Sequence, residues 1–107
     1  MLTIGQLIKF GRINHKMSQD DLAKKLDVSK NYISLVENDK KDPSISFLKN
    51  TAKLLNIPLV LLIWEKMDLP EGKTKEEKEI REQIDKMVDK AHKMFAEQTF
   101  KIKKPKK

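Results

Sequence analysis

Apolar residues recur at steps of three and four along most of the chain, and a serine or threonine repeatedly stands just ahead of such a run. Thr3 followed by Gln6 has the spacing of a capping box. Leu7, Ile8, Phe10 and Ile13 behind it form one apolar face, which predicts a first helix over about residues 4–15. Ser18 with Asp21 repeats the device ahead of Leu22, Ala23 and Leu26. Ser29 heads a third helix with Ile33 and Val36 turned inward. After the polar loop NDKKDP, Ser44 heads a fourth, striped by Phe47, Leu48, Thr51, Ala52, Leu54 and Leu55. Pro58 suits the first position of a fifth helix running to about Met67. Leu69-Pro70-Glu71-Gly72 interrupts the pattern, and Thr74 with Glu77 restarts it for a long last helix to about Gln98. No stretch alternates convincingly with period two, so the fold expected is all-α.

This pattern divides the chain into a helical domain over 1–69, a hinge at 70–73, an amphipathic helix within 74–100 and a tail, KIKKPKK, at 101–107 expected to be disordered. With 107 residues, 38% of them hydrophobic and 36% charged, there is room for one economical core and an appendage. The net charge of +7 is uneven: +3 over residues 1–70 (11 Lys/Arg against 8 Asp/Glu), −1 over 71–100 (7 against 8) and +5 in the tail. Such a balance suits a polyanionic partner.

Several classes of function are disfavoured. Without cysteine there is neither a disulfide framework nor a thiolate metal site, which fits a reducing, cytoplasmic setting. His15 and His92 are far apart, lack neighbouring ligands and are expected to be solvent-exposed on helices, so no metal or other cofactor is predicted. The N-terminus lacks a signal-peptide core, and the longest apolar run, IPLVLLIW, is too short to span a bilayer. Neither a glycine-rich phosphate loop nor a nucleophile with a nearby histidine appears, so an enzyme is not expected.

Residues 18–38, SQDDLAKKLDVSKNYISLVEN, hold two very short helices with only Asp27-Val28 between their patterns. Two short helices at a tight turn are how a helix-turn-helix offers one of them to the DNA major groove, although the bare spacing also fits a small αα-corner. Ala23 falls where the crossing helices come nearest, and Leu22, Val28, Ile33 and Val36 hold the pair to a shared core. With Gln19, DLAKKL, VSKNYIS, VEN and the downstream DPSISFLKNTAKLLNIPL, the chain resembles the Cro/repressor-type (xenobiotic-response-element) helix-turn-helix domains over about residues 3–65. The resemblance implies a five-helix, lambda-repressor-like domain that binds double-stranded DNA as a transcriptional regulator, most simply a repressor on a palindromic operator. It stops short of the C-terminal third. Two departures stand out: the turn position that is often glycine is Asp27, and the residue after Asn38 is Asp39. Aspartate tolerates the left-handed conformation, but both charges are expected to weaken phosphate contact slightly.

If Ile33 and Val36 face inward, helix geometry turns Asn31, Ser34, Leu35 and Asn38 outward, with Lys30 and Tyr32 on the flanks. Asn31 can offer its amide to an adenine edge, Lys30 can reach guanine or phosphate, and Leu35 can touch a thymine methyl or a neighbouring chain. By resemblance, Gln19 and Asn38 grip phosphates; Ser29 and Lys40 complete the candidate DNA-binding set. By resemblance too, Glu37 pairs with Arg12 of the first helix to hold the recognition helix on its scaffold.

Val60 and Leu61 stand where related domains are usually polar, so the fifth helix, with Trp64, has apolar surface to cover. On the last helix Ile80, Ile84, Met87, Ala91, Met94 and Gln98 follow heptad-like steps, widened by Val88 and Phe95. A homodimer through this stripe is the arrangement expected; the alternatives are folding back in cis over Val60, Leu61 and Trp64, or docking of another protein, as in an antitoxin or adaptor.

Overall fold

Hydroxyl side chains start the first four helices. The computed structural model describes residues 2–67 and 70–99, the last two by their backbone alone. Thr3 and Ser18 each accept a backbone N–H three residues ahead while Gln6 and Asp21 reach back, two complete capping boxes that open α1 (Ile4–Asn14) and α2 (Gln19–Leu26). Ser29 and Ser44 cap α3 (Lys30–Glu37) and α4 (Ile45–Leu55) in the same way without the reciprocal bond. Pro58 precedes α5 (Leu59–Ile63) as its cap rather than its first residue. A 3-10 turn over Trp64–Lys66 follows, so the fifth helix is shorter than the pattern predicted. Thr74 accepts from Glu77 N–H at the start of α6 (Lys75–Thr99), while the Glu77 carboxylate takes the N–H of Lys73 instead of Thr74. Among the described residues every regular element is helical. Asp68 and Leu69 at the expected domain boundary, the Gln98 side chain and the tail 101–107 lie outside the described residues.

One cluster joins the first five helices: Leu7 and Ile8 from α1, Leu22 and Ala23 from α2, Ile33 and Val36 from α3, Phe47, Leu48, Ala52 and Leu55 from α4, then Ile57, Leu61 and Leu62. Each fully buried aliphatic side chain contributes about 1.5–3 kcal/mol relative to exposure. The α2–α3 turn is tight because Asp27 adopts a left-handed φ of 56° and Val28 N–H returns to Ala23 O at 2.9 Å. Asp39 and Asn56 end α3 and α4 in the same conformation, at φ 58° and 55°.

Two expectations require correction. Ile13 does not join the core; it is 53% exposed at the end of α1, where the buried face runs through Leu7, Ile8 and Gly11. His92 is 2% exposed, and only His15 of the two histidines reaches solvent, with Nε2 2.9 Å from Leu55 O. The His92 ring lies between α6 and α5: Nδ1 is 3.0 Å from Val88 O and Nε2 is 3.0 Å from Leu61 O. A five-residue helix leaves its last carbonyls to outside partners, and the imidazole meets one of them.

Helix α6 therefore packs in cis, but through a face offset from the heptad stripe. Phe95 rests against the core, and Ala96 and His92 are buried, with Val88 half-buried one turn earlier. Ile80, Met87 and Met94 point away, at 56%, 70% and 47% exposure, and Ala91 is exposed with them. On α5, Leu61 is buried whereas Val60 stays 47% exposed, and Trp64 in the 3-10 turn is half-buried. Beside α6, Pro70, Gly72, Glu77, Ile80, Arg81 and Ile84 line an open cleft of 270 Å³.

Candidate nucleic-acid interface

The character of α3 follows from its two sides. Ile33 and Val36 are sealed against the core, at 0% and 1% exposure, which turns the opposite side out. There the structure brings together Ser29, Lys30, Asn31 and Asn38 as exposed residues, with Ser34 and Leu35 half-buried between them and Lys40 exposed just beyond. Tyr32 is less available than a flanking position suggests. Its ring packs edge-on against Phe47, centroids 5.3 Å apart and planes at 81°.

Some of these polar groups already have local work. The Ser29 hydroxyl accepts Tyr32 N–H as the helix cap, and Asn38 Nδ2 donates to Ser34 O at 2.8 Å. The capping hydroxyl keeps a proton to donate and the Asn38 amide keeps its carbonyl and a second N–H. Asn31 and Lys30 sit exposed in the first turn of α3.

Behind this surface lies a buried carboxylate. Glu37 takes Arg12 Nε at 2.6 Å on Oε2 and Arg12 Nη2 at 3.0 Å on Oε1, a two-pronged pair whose side chains are 2% and 11% exposed. Arg12 Nη1 also donates to Met17 O at 2.8 Å, tying the segment after α1 to the same point. Sequence reasoning missed a third donor: Gln19 Nε2 reaches Glu37 Oε1 at 3.1 Å. Gln19 thus joins α2 to α3, with one amide proton and its carbonyl left to face outward. At the other side of the turn, Asp39 also accepts bonds from α1, through Thr3 and Gly5. Lys66 pairs with Asp42, linking the 3-10 turn to the loop after α3. Among the described residues, no cluster of three or more His, Asp or Glu could hold a metal ion. No helix among them is long and apolar enough to cross a membrane.

A family model described as helix-turn-helix matches residues 8–62. The immunity repressor protein of Bacillus phage phi105 is 33% identical over 90 residues, covering 80% of this chain and 62% of that protein. The chain thus spans less than two thirds of that relative's length. An uncharacterized HTH-type transcriptional regulator of Methanocaldococcus jannaschii is 38% identical over 52 residues, 49% of this chain and 79% of that one. Among solved structures, a chain of a SinR protein/SinI protein complex matches with a TM-score of 0.54 at 28% identity, covering 88% of this chain and 99% of that chain.

Proposed function

The chain belongs to the helix-turn-helix family of Cro/C1-type, DNA-binding transcriptional regulators, and on that premise we propose that it is a repressor reading a palindromic operator with α3. The observation that carries this reading is the exposed polar first turn of α3, Lys30 and Asn31, on a helix whose opposite face is sealed into the core. Asn31 offers donor and acceptor together, which matches an adenine edge; Lys30 serves a guanine or a phosphate. Gln19, Ser29, Asn38 and Lys40 flank these readers and hold the phosphates on either side, while Ser34, Leu35 and Tyr32 shape the contact surface. Bound across a promoter, such a protein blocks access without any catalytic step, and it requires no cofactor.

The test is selection of bound sequences from a random duplex pool, followed by affinity measurement on the selected and scrambled duplexes over a salt series. A repressor of this kind binds the selected duplex at least about a thousandfold more tightly and weakens as salt rises. Equal affinity for both duplexes at every salt concentration would overturn it.

A second reading concerns α6. Its outer stripe, Ile80, Met87 and Met94, remains exposed after the helix has packed in cis, and supports pairing with a second copy. The neighbouring solved structure is named for a complex of two different proteins, which favours a protein partner as the alternative.

A further inference from the structure

Asp39 occupies the left-handed turn after α3 with φ 58°, a conformation that glycine reaches at no steric cost. The turn itself therefore asks for no carboxylate, yet both carboxylate oxygens have partners. Oδ2 accepts a hydrogen bond from Thr3 Oγ1 at 2.7 Å, and Oδ1 accepts one from Gly5 N–H at 3.0 Å. The Thr3 hydroxyl accepts Gln6 N–H at the same time, so it works as donor and acceptor together. Helix α1 has no acidic residue in its own first turn; Asp39 brings the negative charge that a helix N-terminus favours. Gly5 permits the approach, because a Cβ there would lie 2.5 Å from Val36 O, 2.6 Å from Glu37 O and 2.7 Å from Asp39 Oδ1.

The start of α1 and the end of α3 thus meet backbone to backbone. Seven residues further along α1, Arg12 takes Glu37. The end of α3 is attached to α1 at two places about 10 Å apart along that helix. Ile33 and Val36 seat the helix in the core and Gln19 holds Glu37 from α2; the second attachment to α1 further restrains the tilt of this two-turn helix. We propose that Asp39 is a positioning residue for DNA recognition, clipping the end of α3 to the start of α1 and so setting the angle at which the reading side chains enter the groove. This rests on α3 being the reading helix.

The alternative is a bystander charge that only repels phosphate, and the two accounts differ in sign. Removing a bystander charge tightens binding to every duplex alike. Removing a clip loosens the selected duplex specifically. Asp39→Gly keeps the turn and deletes the carboxylate; Thr3→Val deletes the hydroxyl without changing charge, and Thr3→Ser restores it. Fluorescence anisotropy is read on a duplex selected by the wild-type protein and on a scrambled duplex of equal composition, at a temperature where circular dichroism shows each variant folded. Asp39→Gly and Thr3→Val should each lower the ratio of selected to scrambled affinity about tenfold, and Thr3→Ser should keep it. Loss of folded protein lowers both affinities together and leaves the ratio unmoved. A wild-type preference that Asp39→Gly leaves intact, or a uniform tightening, overturns the proposal alone. A wild-type protein preferring neither duplex overturns the reading of α3 and the proposal with it.

Discussion

Glu37 accepts from three donors on two other helices, and the placement of α3 rests on that side chain. Arg12→Ala leaves a nearly buried carboxylate without its cation and should cost about 3 kcal/mol in chemical denaturation. Replacing both partners by apolar residues, Arg12→Met with Glu37→Leu, should recover part of that loss, and strictly additive losses would exclude an energetic pair. On the exposed side, Asn31→Ala should cost ~1–3 kcal/mol on the selected duplex and relax preference at one base position, whereas Gln19→Ala should weaken all duplexes evenly. An Asn31→Ala protein with unchanged preference places the readers elsewhere. The Asp21 carboxyl is held below its ordinary value first by the Ser18 backbone N–H and then by the Ser18 hydroxyl. A lowered carboxylate stabilises the fold above its unfolded value, and that contribution fades as pH falls through the folded one. Asp21→Asn should therefore flatten the acid limb of a melting-temperature profile. The Arg12–Glu37 juxtaposition was legible through family resemblance. The Gln19–Glu37 bond was not, because a glutamine at a helix start points equally well to a phosphate or back to a neighbour.

At the scale of elements, caps told more than stripes. The capping pairs Thr3/Gln6 and Ser18/Asp21, with Ser29 and Ser44, marked the first four helix starts because each hydroxyl satisfies a donor three residues on. Apolar spacing was a weaker guide on α6, which carries two adjacent faces. The heptad steps picked out Ile80, Met87, Ala91 and Met94, while the cis face runs through Val88, His92, Phe95 and Ala96. The same four-residue step from Val88 to His92 and on to Ala96 was present in the sequence, but a polar histidine in its middle disguised it. Its partner, Leu61 O, is a backbone atom 31 residues away that no side-chain pattern reveals. His92→Phe keeps much of the ring's bulk and removes its ring N–H, leaving a buried carbonyl short of a donor. It should lower stability by about 1–3 kcal/mol. Hydrogen exchange should show α6 opening before the first five helices, and uniform protection along the chain would mean that His92 does not clasp the two elements.

The whole molecule poses the question of what α6 does with its outer side. A single helix-turn-helix makes few base contacts, and two-fold pairs of such units bind half-sites about one helical turn apart. Ile80, Met87 and Met94 lie seven residues apart on one face, span roughly 21 Å and stand apart from Val88, His92, Phe95 and Ala96, the face that α6 turns to α5 and the core. They can therefore be changed without loosening α6 from α5. Changing all three to glutamine preserves net charge, so DNA electrostatics stay constant. If the stripe pairs two copies, sedimentation equilibrium should show the wild-type protein as a dimer and the triple variant as a monomer with a nearly unchanged melting temperature. That variant should keep its affinity for one half-site and lose most of its affinity for the full palindrome. Cutting the chain after Leu69 should also give a monomer, but a less stable one, because it uncovers the buried Leu61 as well. A triple variant that stays fully dimeric moves the interface to exposed residues such as Val60 on α5, and a wild-type monomer on the full palindrome leaves the stripe to a different protein.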